Sequence, residues 1–155
     1  YSGRNEYDKA VKYLEEAIAS EETDALTDAD YYYRLARYCV NADKTKAYSA
    51  AQKAMELDPS LSGKAYMIMG TIWGSTVCSG NEIERRAPYW VAVDFLVKAR
   101  NADPELAEEA NNFIRQYSGY FPKTADAFMY DIIDGQSYTV SCGGLRATTT
   151  VRTQN

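Results

Sequence analysis

The feature that most limits the fold is a set of side chains that returns after a fixed interval. Tyr32, Leu35, Ala36 and Cys39 reappear 34 residues later as Tyr66, Met69, Gly70 and Trp73. Steps of three and four residues place each set on one face of a helix. The segments that follow match too. Ala47, Ala51, Ala54 and Pro59 reappear 45 residues later as Ala92, Leu96, Ala99 and Pro104, and Ala10, Leu14 and Ala17 precede the first of these sets by 37 residues. Ala110, Phe113, Ile114 and Tyr117 give a further copy of the opening pattern. Two antiparallel helices do not bury both apolar faces alone, so such pairs stack on one another. Small residues at matched positions let helix axes approach, and large ones fill the remaining space. A generic helical bundle with chance spacing is the competing explanation, and several landmarks sharing one shift count against it.

The periodicity predicts helices ending near Ser20, then over about Asp28–Val40, Thr45–Leu57, Leu61–Ser75, Pro88–Asn101 and 104–118. Thr27 and Asp30 supply an N-cap pattern, and Asp103-Pro104 sets an N-cap before a proline at the first helical position. Residues 76–87 read as an enlarged polar loop inside one pair, which accounts for the longer 45-residue shift. From Phe121-Pro122 the character changes. Residues 123–133 predict a short helix with Ala127, Phe128, Met129, Ile132 and Ile133 on its apolar side. Ser137–Cys142 and Leu145–Arg152 alternate and are β-prone, and Gly143-Gly144 suits a two-residue hairpin turn. An isolated hairpin is marginal in water, so this one is expected to lie on the helices. The expected architecture is all-α, an antiparallel helix-pair solenoid over residues 1–122, with an extension over 123–155 of one short helix and a β-hairpin.

Composition narrows the chemistry. The 155 residues include no histidine, which removes His-based triads, His metal sites and His proton switches. No P-loop or GxGxxG motif is present, and neither a cofactor nor a metal is expected. The net charge of −5, with no basic stripe, argues against a nucleic-acid partner. The longest apolar run, Ala65 to Trp73, is far short of a membrane span. The polar start at Tyr1 carries no leader pattern and is expected to be a trimmed or processed end. Of the three cysteines, Cys39 lies on a core stripe where Trp73 lies one repeat later. Cys78 lies in the polar insertion and Cys142 at the hairpin turn. A Cys78–Cys142 disulfide is one expectation, and two reduced thiols are the other. Glu82 and Glu84 stand beside Arg85 and Arg86, which reads first as local ion pairing and only secondarily as a hydrolytic carboxylate pair.

The repeated residues resemble the tetratricopeptide repeat, a 34-residue helix pair with an aromatic-large-small-aromatic first helix and a small-large-small second helix followed by proline. The insertion, the helix from Ala87 to Asp94 and the hairpin are also similar to those of bacterial envelope tetratricopeptide proteins from gut-type anaerobes. The resemblance spans about residues 28–152, most specifically 64–152. It implies a secreted or membrane-tethered protein that faces the periplasm. In the family the first helices line the concave face, and here their register selects Tyr33, Arg37 and Val40, then Met67, Thr71 and Gly74, then Asn111, Arg115 and Ser118. Guanidinium forks and aromatic rings suit a peptide or carboxylate ligand. The family's clamp for acidic chaperone tails needs Lys and Asn where this chain has Tyr33 and Met67, so that specificity is not expected. The expected role is a non-catalytic protein- or peptide-binding scaffold of the cell envelope. A carbohydrate-associated component using exposed tyrosines and the 76–87 loop is the alternative, and a hydrolase the less favoured third. A self-filled groove is the plainest competing picture of the concave face.

Overall fold

The computed structural model describes residues 2–19 and 24–154. The break expected near Ser20 lies outside them. Seven α-helices occur among the described residues: α1 Ser2–Ala19, α2 Ala25–Cys39, α3 Lys44–Leu57, α4 Ser62–Gly74, α5 Glu82–Ala102, α6 Ala107–Ser118 and α7 Thr124–Met129. Strands β1 Ser137–Cys142 and β2 Leu145–Thr150 form one antiparallel pair. The protein is mostly helical with a small C-terminal hairpin, and each of α1 to α5 packs on the helix that follows it, most extensively α2 on α3 and α4 on α5. Among the described residues no helix is long and apolar enough to cross a membrane.

Aspartates start most of the helices. Asp24 caps α2 by accepting the Thr27 amide at 2.8 Å, one turn earlier than the Thr27/Asp30 pattern implied. Asp43 caps α3 through the Lys46 amide. Asp58-Pro59 and Asp103-Pro104 each end one helix and open a short 3-10 turn that leads into the next, α4 or α6. These two matched restarts fix the register of α4 and α6 relative to the helices before them.

The largest departure from expectation is at the insertion. Helix α5 begins at Glu82, two turns before Pro88, because Asn81 and Glu84 form a reciprocal capping box. The Glu84 amide donates to Asn81 Oδ1 at 2.9 Å, and the Asn81 amide donates to Glu84 Oε1 at 3.3 Å. Pro88 then lies buried inside the helix. The extra length of the second helix pair is thus divided between a short loop and added helix.

The core is centred on α3, α4 and α5, with Trp73, Trp90, Met69, Ile72, Ile83 and Leu96 fully enclosed. Trp73 donates Nε1–H to the Tyr48 hydroxyl at 3.3 Å, which satisfies the indole inside the core. Helices α4 and α5 approach closely at Gly70, where an added β-carbon would sit 3.1 Å from Leu96 Cγ and 3.2 Å from the Ala92 carbonyl. Helix α7 differs from its expected apolar side. Ala127 is buried and Ile132 half-buried, whereas Phe128, Met129 and Ile133 are exposed. The helix is only six residues long, and it ends in a turn at Asp131, whose φ of 58° redirects the chain before an apolar stripe can form.

The hairpin lies on α5. Val140, Leu145 and Val151 join the core, and Tyr138 meets the Trp90 ring edge-on at 5.4 Å. Trp90 Nε1–H donates to the Arg152 carbonyl at 2.8 Å, and Arg152 Nη1 donates back to the Trp90 carbonyl at 3.0 Å. Asp94 accepts from both Arg152 Nη2 and the Thr149 hydroxyl. Cys78 and Cys142 are joined by a disulfide, with Cα atoms 5.8 Å apart. Cys39 is buried in the core.

Candidate functional site

Side chains from α2, α4 and α6, every second helix, converge on one groove of about 220 Å³. Tyr33 and Arg37 come from α2, Lys64, Met67, Ile68 and Thr71 from α4, and Glu109 and Phe113 from α6, with Leu106 just before it. Two cations approach the Tyr33 ring. The Arg37 guanidinium carbon is 5.8 Å from the ring centroid and Lys64 Nζ is 5.9 Å from it. The Thr71 hydroxyl donates to the Ile68 carbonyl at 3.0 Å, so its outward capacity is as an acceptor. The lining therefore combines two cations, one carboxylate, two aromatic rings and an aliphatic floor, and it does so in an open recess.

Four of the nine residues expected on the concave face lie in this groove: Tyr33, Arg37, Met67 and Thr71. Val40 does not. It stands at the end of α2 and packs against the core. On α6 the expected residues point elsewhere. Asn111 accepts from Arg100 Nη1 at 2.8 Å, Arg115 is exposed and bonded to Asn112, and Ser118 lies in the last turn, where its carbonyl accepts the Phe121 amide. Gly74 faces the Tyr117 ring. The reason is register. Matching Ala110 to Tyr66 shifts α6 by 44 residues, whereas the Asp-Pro restarts are 45 apart. The second interval carries Lys64 to Glu109 and Ile68 to Phe113, both of which line the groove. One residue of slip rotates a helix by about 100°. The repeated Asp-Pro pair was the signal that locates these two side chains.

The three adjacent tyrosines divide their work. Tyr31 and Tyr32 pack partly against the core, and Tyr33 lines the groove.

A second recess of about 220 Å³ is lined by Glu82, Arg85, Arg86, Tyr89 and Tyr120. Tyr89 and Tyr120 stack with centroids 4.6 Å apart. Both carboxylates of the insertion are engaged within α5. Glu82 pairs with Arg86 Nε at 3.2 Å, and Glu84 closes the capping box. Arg86 also donates to the Tyr120 carbonyl at 2.8 Å.

Comparison of the chain with protein-family models, with curated proteins and with solved structures finds no match.

Proposed function

We propose that this protein is a tetratricopeptide-like, non-catalytic scaffold of the bacterial cell envelope, which holds a protein or peptide partner in the α2–α4–α6 groove. The observation that carries the reading is the groove itself, to which alternate helices each contribute a cation, an aromatic or an aliphatic side chain. Stacked helix pairs present their first helices on one side, so alternate helices are the expected source of such a lining. Sequential packing of the helices and the twice-used Asp-Pro restart support the repeat assignment. The Cys78–Cys142 bond supports the location, because disulfides persist in oxidising compartments such as the periplasm. Recognition rests on shape and a few anchors on a rigid surface: Tyr33 and Phe113 supply contact area, Arg37 and Lys64 meet acidic or carbonyl groups, and Glu109 meets a cation.

Affinity capture from native envelope extract, followed by mass spectrometry, tests this reading. Arg37→Ala combined with Lys64→Ala, both exposed cations of the groove, removes the captured partner while the melting temperature holds. Arg115→Ala, outside the groove, leaves capture intact. An identical captured set from all three proteins rejects the groove.

A carbohydrate-binding reading is favoured by one different observation, the Tyr89–Tyr120 stack beside Glu82 and Arg85. It requires a melting shift on a glycan panel that disappears with Tyr120→Ala and is untouched by Arg37→Ala.

A further inference from the structure

A third recess, of about 320 Å³, shares no lining residue with either of these. It is lined by Cys78, Ser79, Glu84 and Ala87 and by five consecutive residues of β1, Tyr138 to Cys142. Successive side chains of a strand point to opposite faces. A cavity that touches five in a row therefore runs alongside the strand, at its backbone edge.

The hairpin geometry defines what that edge presents. Gly143 and Gly144 both have positive φ, 62° and 79°, as a two-residue turn of the I′ kind needs. Cys142 and Leu145 flank this turn and form the first hydrogen-bonded pair, followed by Val140 with Ala147 and Tyr138 with Thr149. The alternating pattern turns the amides and carbonyls of Ser137, Thr139 and Ser141 outward. Among the described residues these three make no backbone hydrogen bond outside the hairpin. Among the described residues the sheet has two strands and no third neighbour. Natural sheets blunt such edges with proline, lysine or a bulge, and Ser137–Cys142 contains none of them. The edge is held rigid by the disulfide at Cys142 and by Tyr138 against Trp90, so little order is lost when a ligand pairs with it.

Chemistry selects the occupant. Glu84 is the one charged side chain among the described residues that line this recess. One of its oxygens accepts the Asn81 amide, which leaves the carboxylate able to accept further bonds. The Tyr138 hydroxyl is held above the ordinary phenol range, first by burial and then by the Glu84 charge, as befits a locally negative recess.

We propose that the β1 edge takes up an extended polypeptide segment as a third strand, with a lysine or arginine of that segment placed against Glu84. Main-chain pairing with Ser137, Thr139 and Ser141 supplies the affinity, and the recess over Ala87 and Glu84 supplies the side-chain preference.

The test uses the full, oxidised chain and a fluorescein-labelled peptide, Thr-Val-Thr-Lys-Thr-Val-Thr, followed by anisotropy. Saturable binding is expected. A version with Glu in place of Lys binds about fivefold more weakly. N-methylation of alternate amides abolishes binding in one phase and spares it in the other, because only one edge of the peptide is used. Glu84→Gln erases the Lys-over-Glu preference, and glutamine at this position preserves the capping box, so the fold is kept. Absence of saturable binding overturns the proposal, as does equal binding of both methylated forms. Sedimentation that shows the edge already covered by a second copy of this chain, in competition with the peptide, also overturns it.

Discussion

Helices α2 to α5 and the C-terminal hairpin share one hydrophobic core but are held by different physics. In the helical stack the contacts are apolar and the key residues small: Ala36, Ala47, Ala51, Ala54, Ala92 and Ala99 are all fully enclosed. Such contacts are non-directional, and their strength follows the apolar area removed from water. At the hairpin the fastening is directional and bridges long sequence distances. Trp90 and Arg152, 62 residues apart, exchange two hydrogen bonds; Asp94 holds Arg152 and Thr149; a disulfide joins residues 64 apart. Helices joined by short turns are placed by local connection, whereas a terminal extension must be pinned. The contrast predicts that the two regions respond separately to different substitutions.

The largest effect is expected in the stack. Trp73→Ala empties a fully enclosed site and strands the Tyr48 hydroxyl, and it should cost about 5 kcal/mol. Urea unfolding followed by far-ultraviolet circular dichroism should show the whole helical signal shift together. A loss confined to the hairpin would break the comparison. Replacing Cys78 and Cys142 by alanine comes next, at about 4 kcal/mol in the chain-entropy picture for this loop length. Hydrogen exchange should then rise over residues 136–152 while α2 to α5 keep their protection. Equal loss of protection in both regions would show that the bridge is not confined to pinning the extension.

Asp94→Ala should cost about 2 kcal/mol, because it leaves the half-buried Arg152 without its carboxylate and Thr149 without its acceptor. Its mark should again be faster exchange in the hairpin. The smallest effect is a pH dependence shared by both regions. Tyr48 and Tyr117 in the stack and Tyr138 in the hairpin all sit above the ordinary phenol value of 10.0, because burial opposes the phenolate. The folded chain then holds protons that the unfolded chain releases. Stability from these groups is complete below about pH 10 and falls as pH rises through the folded values. Lys46, raised chiefly by its bond to Glu15, acts in the same direction. Melting temperatures should hold from pH 8 to about pH 10 on account of these groups and decline above it, and a profile that stays flat to about pH 11 would contradict the burial of these rings.

Much of the fold was legible because its signals are local. Three- and four-residue spacing marked the helices, and Gly143-Gly144 marked the hairpin turn. The start of α5 was misplaced because a proline inside the helix resembles a proline at its beginning, while the Asn81–Glu84 box upstream carried the true signal. The groove was legible on α2 and α4, where one interval relates the helices. It failed on α6, where two intervals one residue apart compete: the side-chain match selects Asn111, Arg115 and Ser118, and the Asp-Pro restart selects Glu109 and Phe113. The exposed side of α7 had no readable signal, since six residues are too few for periodicity to establish a face.

By itself the sequence determined most of the helices, the Asp103-Pro104 restart and the hairpin, because each depends on residues within a few positions of one another. The tertiary structure alone decided which of the two intervals sets α6 in the groove, that Arg152 closes on Trp90 and Asp94, and that one edge of β1 stays open beside Glu84. Those outcomes depend on the rotation and approach of elements distant in the chain, and a single residue of register is enough to redirect them.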